Sequence, residues 1–209
     1  MTKKGKSTKK GKSKETGNTK YKVPEFDEAI LNPVGDEVVR AVRTTPNQEA
    51  VFEKYCKRRG VTVYLPLRRV WKVHNINRNG KSYSYSQEVL RPLFTSYVFV
   101  KIAEPLLRTL HESRVVAQIL LEYNQERFLD ELRIVRTCET VGFEQELEVH
   151  KEIAEGDRFL ITSGIWEGVE GRLTQKDNCC KWTVEIEFCQ QFVTTTIDPR
   201  LFKMTPLED

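Results

Sequence analysis

The densest run of aromatic and β-branched residues in the chain lies between Arg91 and Ile102. Because side chains alternate along a strand, Phe94, Val98, Val100 and Ile102 are expected on one face and Leu93, Tyr97 and Phe99 on the other. Both faces are apolar. The pattern predicts a central strand that is either covered on both sides or covered on one, with Tyr97 and Phe99 left as a docking surface. Around it the periodicity predicts a strand at Val38–Arg43 and a helix between Thr45 and Gly60 carrying Val51, Phe52, Tyr55 and Cys56. Thr45 is the expected N-cap, with Pro46 at the first helical position and Gln48 placed for a capping box. A strand at Val61–Leu65 follows. Two alternating segments, Val70–Asn77 and Lys81–Val89, then flank Asn79-Gly80, a strong hairpin signal because both turn residues must take positive φ. A helix at Glu104–Ser113, a strand at Val115–Leu121 and a helix at Glu126–Thr137 complete an α+β domain spanning residues 36–140.

Beyond that domain the pattern changes. Residues 141–155 read as an acidic interdomain linker, and from Gly156 the signal is all β, with short strands at Arg158–Thr162, Glu170–Thr174, Lys181–Phe188 and Gln191–Ile197. This predicts a small barrel over residues 156–209. Gly164, Gly168 and Gly171 are expected where the backbone needs positive φ or close strand approach, and Trp166 is expected to pack the barrel.

Charge adds a spatial bias. The 209 residues carry a formal net charge of +4, but residues 1–22 hold nine Lys against Glu15 alone. That segment cannot bury enough apolar surface to offset its ordering entropy, so residues 1–35 are expected to form a disordered basic tail and an extended lead-in. Such a tail suits a polyanion, with affinity that falls with salt. Residues 36–104 hold thirteen basic against six acidic groups. Within them, Arg68, Arg69, Lys72 and His74 line the first arm of the expected hairpin, Arg78 and Lys81 mark its tip, and Tyr83 and Tyr85 share a face of the second arm. Cations beside aromatic rings suit phosphate contact with base stacking, and equally an ordinary polar surface. Lys54, Lys57, Arg58 and Arg59 suit the C-terminal end of a helix dipole or a nucleic acid.

Catalytic chemistry is absent from the pattern. His74, His111 and His150 show no metal-ligand spacing with any cysteine, and no H-E-x-x-H, G-x-S-x-G or Walker sequence occurs. No enzyme activity, metal or cofactor is expected. Five cysteines without a C-x-x-C pair suit reduced thiols. No segment approaches the ~20 apolar residues of a membrane helix, so a soluble, cytoplasmic protein is expected.

Several motifs carry a family likeness. Leu93-Phe94-Thr95-Ser96-Tyr97-Val98-Phe99-Val100 resembles the L-F-P-G-Y-V-F-V signature of the NusG/RfaH transcription elongation factors, with Thr95-Ser96 in place of Pro-Gly. Arg43-Thr44-Thr45-Pro46-Asn47-Gln48-Glu49 resembles the R-T-x-P-N-x-E at the family's first helix, and Tyr64-Leu65-Pro66 its next strand end. Gly156-Asp157 through Ile161, Gly164, Trp166, Gly168 and Gly171 resembles the KOW motif. The resemblance spans roughly Asp36 to Met204 and implies an NGN-type α/β sandwich with an antiparallel sheet, followed by a KOW (SH3-like) barrel.

The resemblance further implies a factor for transcription elongation or antitermination that binds the clamp helices of the RNA polymerase large subunit. Tyr97 and Phe99 occupy the matching positions, with Pro66, Leu93 and Phe94 shaping the pocket and Arg108 and Thr109 meeting the opposite side of the polymerase cleft. Arg43, Asn47, Arg78 and Lys81 are the candidates for non-template DNA. The barrel is expected to recruit a small-subunit ribosomal protein or a termination factor. Val39-Arg40 stands where the family usually has Trp-Tyr. That departure, the altered Pro-Gly and the basic lead-in point to a specialised paralogue acting on particular operons. Two other classes stand beside it: a KOW-containing ribosome-associated or RNA-processing protein, and a nucleic-acid enzyme, which lacks an identifiable catalytic group.

Overall fold

The computed structural model describes residues 21–78, 81–121, 124–151, 156–176, 179–186 and 189–207. Its first domain is built on a four-stranded antiparallel sheet in the order β2-β5-β1-β6, formed by β1 (Glu37–Thr44), β2 (Thr62–Tyr64), β5 (Tyr97–Ala103) and β6 (Val116–Ile119). The aromatic strand β5 is interior, paired to β1 with Val42 opposite Val98 and Arg43 opposite Tyr97.

Both faces of this sheet are covered by the protein itself. On one side α1 (Glu49–Arg58) and a 3₁₀ helix over Glu104–Ser113 enclose Val42, Phe52, Cys56, Val98, Val100, Ile102 and Leu110. On the other, α2 (Gln125–Glu144) brings Phe128, Leu132 and Val135 onto Val39, Ala41, Tyr64 and Phe99. Strand alternation therefore assigns Tyr97 to Ile102 correctly. It fails for Phe94, which joins Phe99 on the α2 side because it lies in the turn before β5, where Ser96 takes a φ of 70° and breaks the alternation.

Boundaries shift where tertiary contacts outweigh local signals. Helix α1 begins at Glu49, capped by Gln48 without a side-chain bond, and not at Thr45-Pro46. The Thr44 and Thr45 N–H groups still bond across the sheet to Ser96 O and Val115 O, each at 2.8 Å. The chain leaves the sheet only through Asn47, at a φ of 62°. Helix α2 runs to Glu144, and Leu147–His150 forms β7, paired to the strand at Gln191–Ile197 of the second domain. Of the stretch expected to be an acidic linker, the described residues 141–151 are therefore mostly regular structure. The expected helix over Glu126–Thr137 runs on instead through Cys138, Glu139, Val141, Gly142 and Phe143, all buried.

The lead-in over residues 21–35 also packs. Ile30 is buried in the core, Phe26 meets the Tyr64 ring edge-on at 4.8 Å, and Arg136 Nη2 donates to Pro24 O at 3.1 Å. The tail expected to be disordered lies outside the described residues through position 20.

β3 (Leu67–Arg78) and β4 (Lys81–Pro92) form a separate two-stranded ribbon, longer at its base than the alternation suggested. The second domain is a six-stranded sheet, β12-β8-β9-β10-β11-β7, comprising β8 (Asp157–Ile161), β9 (Glu170–Lys176), β10 (Cys179–Ile186), β11 (Gln191–Ile197), β12 (Met204–Pro206) and β7. Trp166 is buried. Gly171 meets the expectation of close approach: a Cβ there would stand 2.5 Å from Thr183 O. One apolar cluster runs without a break from Val39 and Phe99 through α2 into Trp182, Ile186 and Cys189 of the second domain.

Candidate functional site

The turn ahead of β5 is held from two sides. Pro66 O accepts the Leu93 N–H at 2.8 Å, which ties the base of the ribbon to the end of β2. Ser96, a buried non-glycine residue at positive φ, donates its N–H to Glu49 Oε1 at 2.6 Å. The strained backbone is thus held by a buried carboxylate from α1. Immediately after it, Tyr97 is half-buried, with Arg43 opposite on β1. Burial and the nearby Cys189 thiol push the Tyr97 phenol above its ordinary range, against the lowering effect of Arg43.

Tyr97 opens onto a cleft of about 350 Å³ between the two domains, lined by Arg43, Leu93, Thr95 and Tyr97 on one side and by His150 and Cys189 on the other. The His150 Nε2 and Thr194 Oγ1 atoms are hydrogen-bonded at 2.8 Å, which fixes the imidazole at the edge of this cleft.

The residues expected to contact polymerase divide sharply. Phe99 is not part of an open surface: it is 0% exposed, with the rings of Tyr64 and Phe128 at 5.8 and 6.1 Å. Helix α2 seals it because the sheet has an apolar layer on each side. Pro66, Leu93 and Phe94 are likewise buried and shape the turn from beneath. Tyr97 alone of the motif rings reaches the cleft. Arg108 is exposed and Thr109 half-buried on the 3₁₀ helix across the sheet, where Tyr55 Oη donates to Thr109 O at 2.9 Å.

The nucleic-acid candidates fall into two places. Arg43 and Asn47 are exposed near the Tyr97 turn. Arg78 and Lys81 pair at the tip of the ribbon, eleven residues and about 36 Å of strand from its base; their side chains lie outside the described residues. Arg68 and Arg69 are committed elsewhere. Arg68 Nη1 donates to Leu147 O at 2.7 Å, and Arg69 pairs with buried Glu88 at 3.0 Å.

Pattern reading missed Glu49 as a support, although the R-T-x-P-N-x-E match ends on it. It also missed Glu139, fully buried, which accepts from Tyr64 Oη at 2.9 Å, from the Leu67 N–H at 2.8 Å and from Arg136 at 2.5 Å. Burial and the Glu139 charge push the Tyr64 phenol well up. No local signal marks His150 or Cys189 as neighbours of Tyr97, since they lie far away in the chain.

Among the described residues no group of three or more His, Cys, Asp or Glu is placed to hold a metal ion, and no helix is long and apolar enough to cross a membrane. No curated protein matches the sequence significantly. Residues 40–135 match a family model described as transcription termination factor nusG, a segment that contains the sheet, α1, the ribbon, the Tyr97 turn and the first half of α2. Residues 40–135 are thus similar to the NusG family of transcription factors, and the mixed α+β fold of the first domain agrees with that likeness.

Proposed function

We propose that this protein binds the clamp helices of the RNA polymerase large subunit through the Tyr97 side of its first domain and holds the enzyme in its elongating state. The observation that carries this reading is the placement of Tyr97, beside a cleft, on a turn that Glu49 and Pro66 hold rigid. A half-buried aromatic at the rim of a preformed hollow suits an interface anchor, whose truncation typically costs about 2 kcal/mol or more of binding. Phe99, Leu93 and Phe94 keep that hollow in shape from below.

Arg108 and Thr109, across the sheet from Tyr97, suit a second contact on the far side of the polymerase cleft. A factor gripping both sides favours the closed enzyme by its differential affinity for that state. Arg43 and Asn47, both exposed, suit contact with an exposed non-template strand, and the second domain suits recruitment of a small-subunit ribosomal protein or a termination factor. The departures at Val39-Arg40 and Thr95-Ser96 favour a paralogue that serves particular operons.

A pull-down of polymerase by the full chain, wild type against Tyr97→Ala, tests the assignment. Retained capture by a folded Tyr97→Ala variant refutes it. Transcription on templates with and without candidate leader sequences tests the specialist reading, which uniform action on every template contradicts.

A further inference from the structure

The cleft beside Tyr97 gathers basic side chains without an acid. Arg43, Arg68, His150 and Lys151 line it, and its described lining includes neither Asp nor Glu. These groups come from separate elements: Arg43 from β1 and Arg68 from β3 in the first domain, His150 from the end of β7 and Lys151 just beyond it in the second. Elsewhere in the molecule such cations are neutralised. Arg40 pairs with Glu104, Arg69 with Glu88 and Arg136 with Glu139. In the larger cleft between α2 and the second domain, Arg158 meets Glu170 at 3.2 Å. Arg43, Arg68 and Lys151 form no ion pair among the described residues.

Arg68 makes the imbalance acute. It is half-buried, its Nη1 donates to Leu147 O at 2.7 Å, and its buried Nε has no hydrogen-bond partner among the described residues. Burial pushes this guanidinium below its ordinary pKa, and the charge of Glu146, exposed and outside the cleft, offsets only part of that effect. Glu148, the acid of β7, is committed to Lys181 at 3.0 Å. A desolvated cation without a carboxylate favours any anion that enters beside it.

Geometry selects the anion. At about 350 Å³ the cleft is at the small end of ligand sites, and cations from three elements converge on it. A planar carboxylate presents its two oxygens to a single arginine fork, and a phosphodiester likewise has only two free oxygens. A terminal phosphate offers three, tetrahedrally placed, with a charge of about −1.5 to −2 at pH 7.

We propose that the cleft binds a small molecule bearing a terminal phosphate, held by Arg43 and Arg68 from the first domain and by Lys151 from the second. The bound phosphate ties the two domains together and closes the approach to the Tyr97 ring. The site itself stands on the cleft alone; only its effect on polymerase rests on the reading of Tyr97 given above.

The test is isothermal titration calorimetry of the full chain with inorganic phosphate and with AMP at fixed ionic strength, beside a single-stranded oligonucleotide without terminal phosphates. Saturable binding is expected, with Tm raised by about 5 °C or more at a hundredfold excess over Kd. The tighter of the two small anions tells free phosphate from a phosphate ester. Arg43→Gln and Arg68→Gln are each expected to weaken Kd about tenfold or more, and Lys54→Gln, exposed on α1 away from the cleft, to leave it within about twofold. Because Arg43 is exposed, its variant decides the matter should Arg68→Gln fail to fold. The Lys-rich residues 1–22 attract polyanions in every variant, so binding that is indifferent to Arg43 and Arg68 overturns the proposal. Absence of saturable binding at millimolar phosphate or AMP, or an oligonucleotide that displaces AMP and binds more tightly through Arg68, overturns it too. Polymerase capture by wild type is expected to fall several-fold at saturating AMP. Unchanged capture, with calorimetry still showing binding, overturns the blocking of Tyr97 but not the site, and Tyr97→Ala measured beside it tells whether the polymerase contact itself has failed.

Discussion

Glu49 Oε1 accepts the backbone N–H of Ser96 at 2.6 Å, joining the start of α1 to the turn that launches the central strand. Two sequence motifs 47 residues apart in the chain are thus one structural unit. Ser96 occupies a left-handed backbone conformation where the resembling family places glycine. Ser96→Gly is expected to relieve about 1 kcal/mol of backbone strain, offset in part by the greater freedom of the unfolded chain. Glu49→Ala leaves the Ser96 N–H buried without its acceptor and should cost about 1–3 kcal/mol. Urea denaturation of both variants checks the pair; equal destabilisation by each would remove Glu49 as the support of this turn.

Tyr97 and Phe99 are two residues apart and are expected to separate cleanly in experiment. Phe99→Ala empties a site between Tyr64 and Phe128 and should lower stability by about 3–5 kcal/mol. Tyr97→Ala should lose polymerase capture while thermal unfolding stays within a few degrees of wild type. A Phe99→Ala protein that melts like wild type contradicts the sealed core position.

The buried Glu139 joins β2, the start of β3 and α2 through Tyr64, Leu67 and Arg136. Glu139→Ala strands a buried phenol, a buried-side N–H and a guanidinium together, so a loss of about 3–5 kcal/mol is expected. Denaturant unfolding with coincident fluorescence and circular dichroism gives the number. A cost below about 1 kcal/mol would show that water replaces the carboxylate.

Burial pushes the Cys138 thiol from its ordinary value of 9.0 up to about 12. The folded chain therefore keeps a proton that the unfolded chain releases. This contribution is fully present below pH 9 and is lost as pH rises from 9 towards 12, at most about 1.4 kcal/mol per pH unit. Cys56 and Cys189 are raised to about 12 in the same way. Stability measured across this window should fall, and less steeply in Cys138→Ala. Identical slopes would mean that Cys138 ionises freely in the native state.

The second domain shares an apolar cluster with α2 and places Cys189 next to Tyr97. The partner proposed for Tyr97 would share the cleft with this edge of the second domain. Cys189→Glu, which introduces a buried charge at the contact, is expected to loosen the barrel and increase polymerase capture several-fold. Reduced capture by a folded variant contradicts that geometry.

Periodicity alone determined the strand and helix order of the first domain, the hairpin and the succession of short strands after Gly156, because each depends on contacts within a few residues along one element. The motif at Leu93–Val100 pointed to the family for the same local reason. Only the tertiary structure decided that Phe99 is core and Tyr97 is rim, since the sequence shows that both faces of β5 are apolar but not which helix covers each. It alone extended α2 through an acidic stretch, where buried Glu139 reads as solvent-facing until Tyr64 and Arg136 are brought beside it. It alone set His150 and Cys189 against Tyr97. Those relations join residues far apart in the chain, and their energy comes from burial that no local window contains.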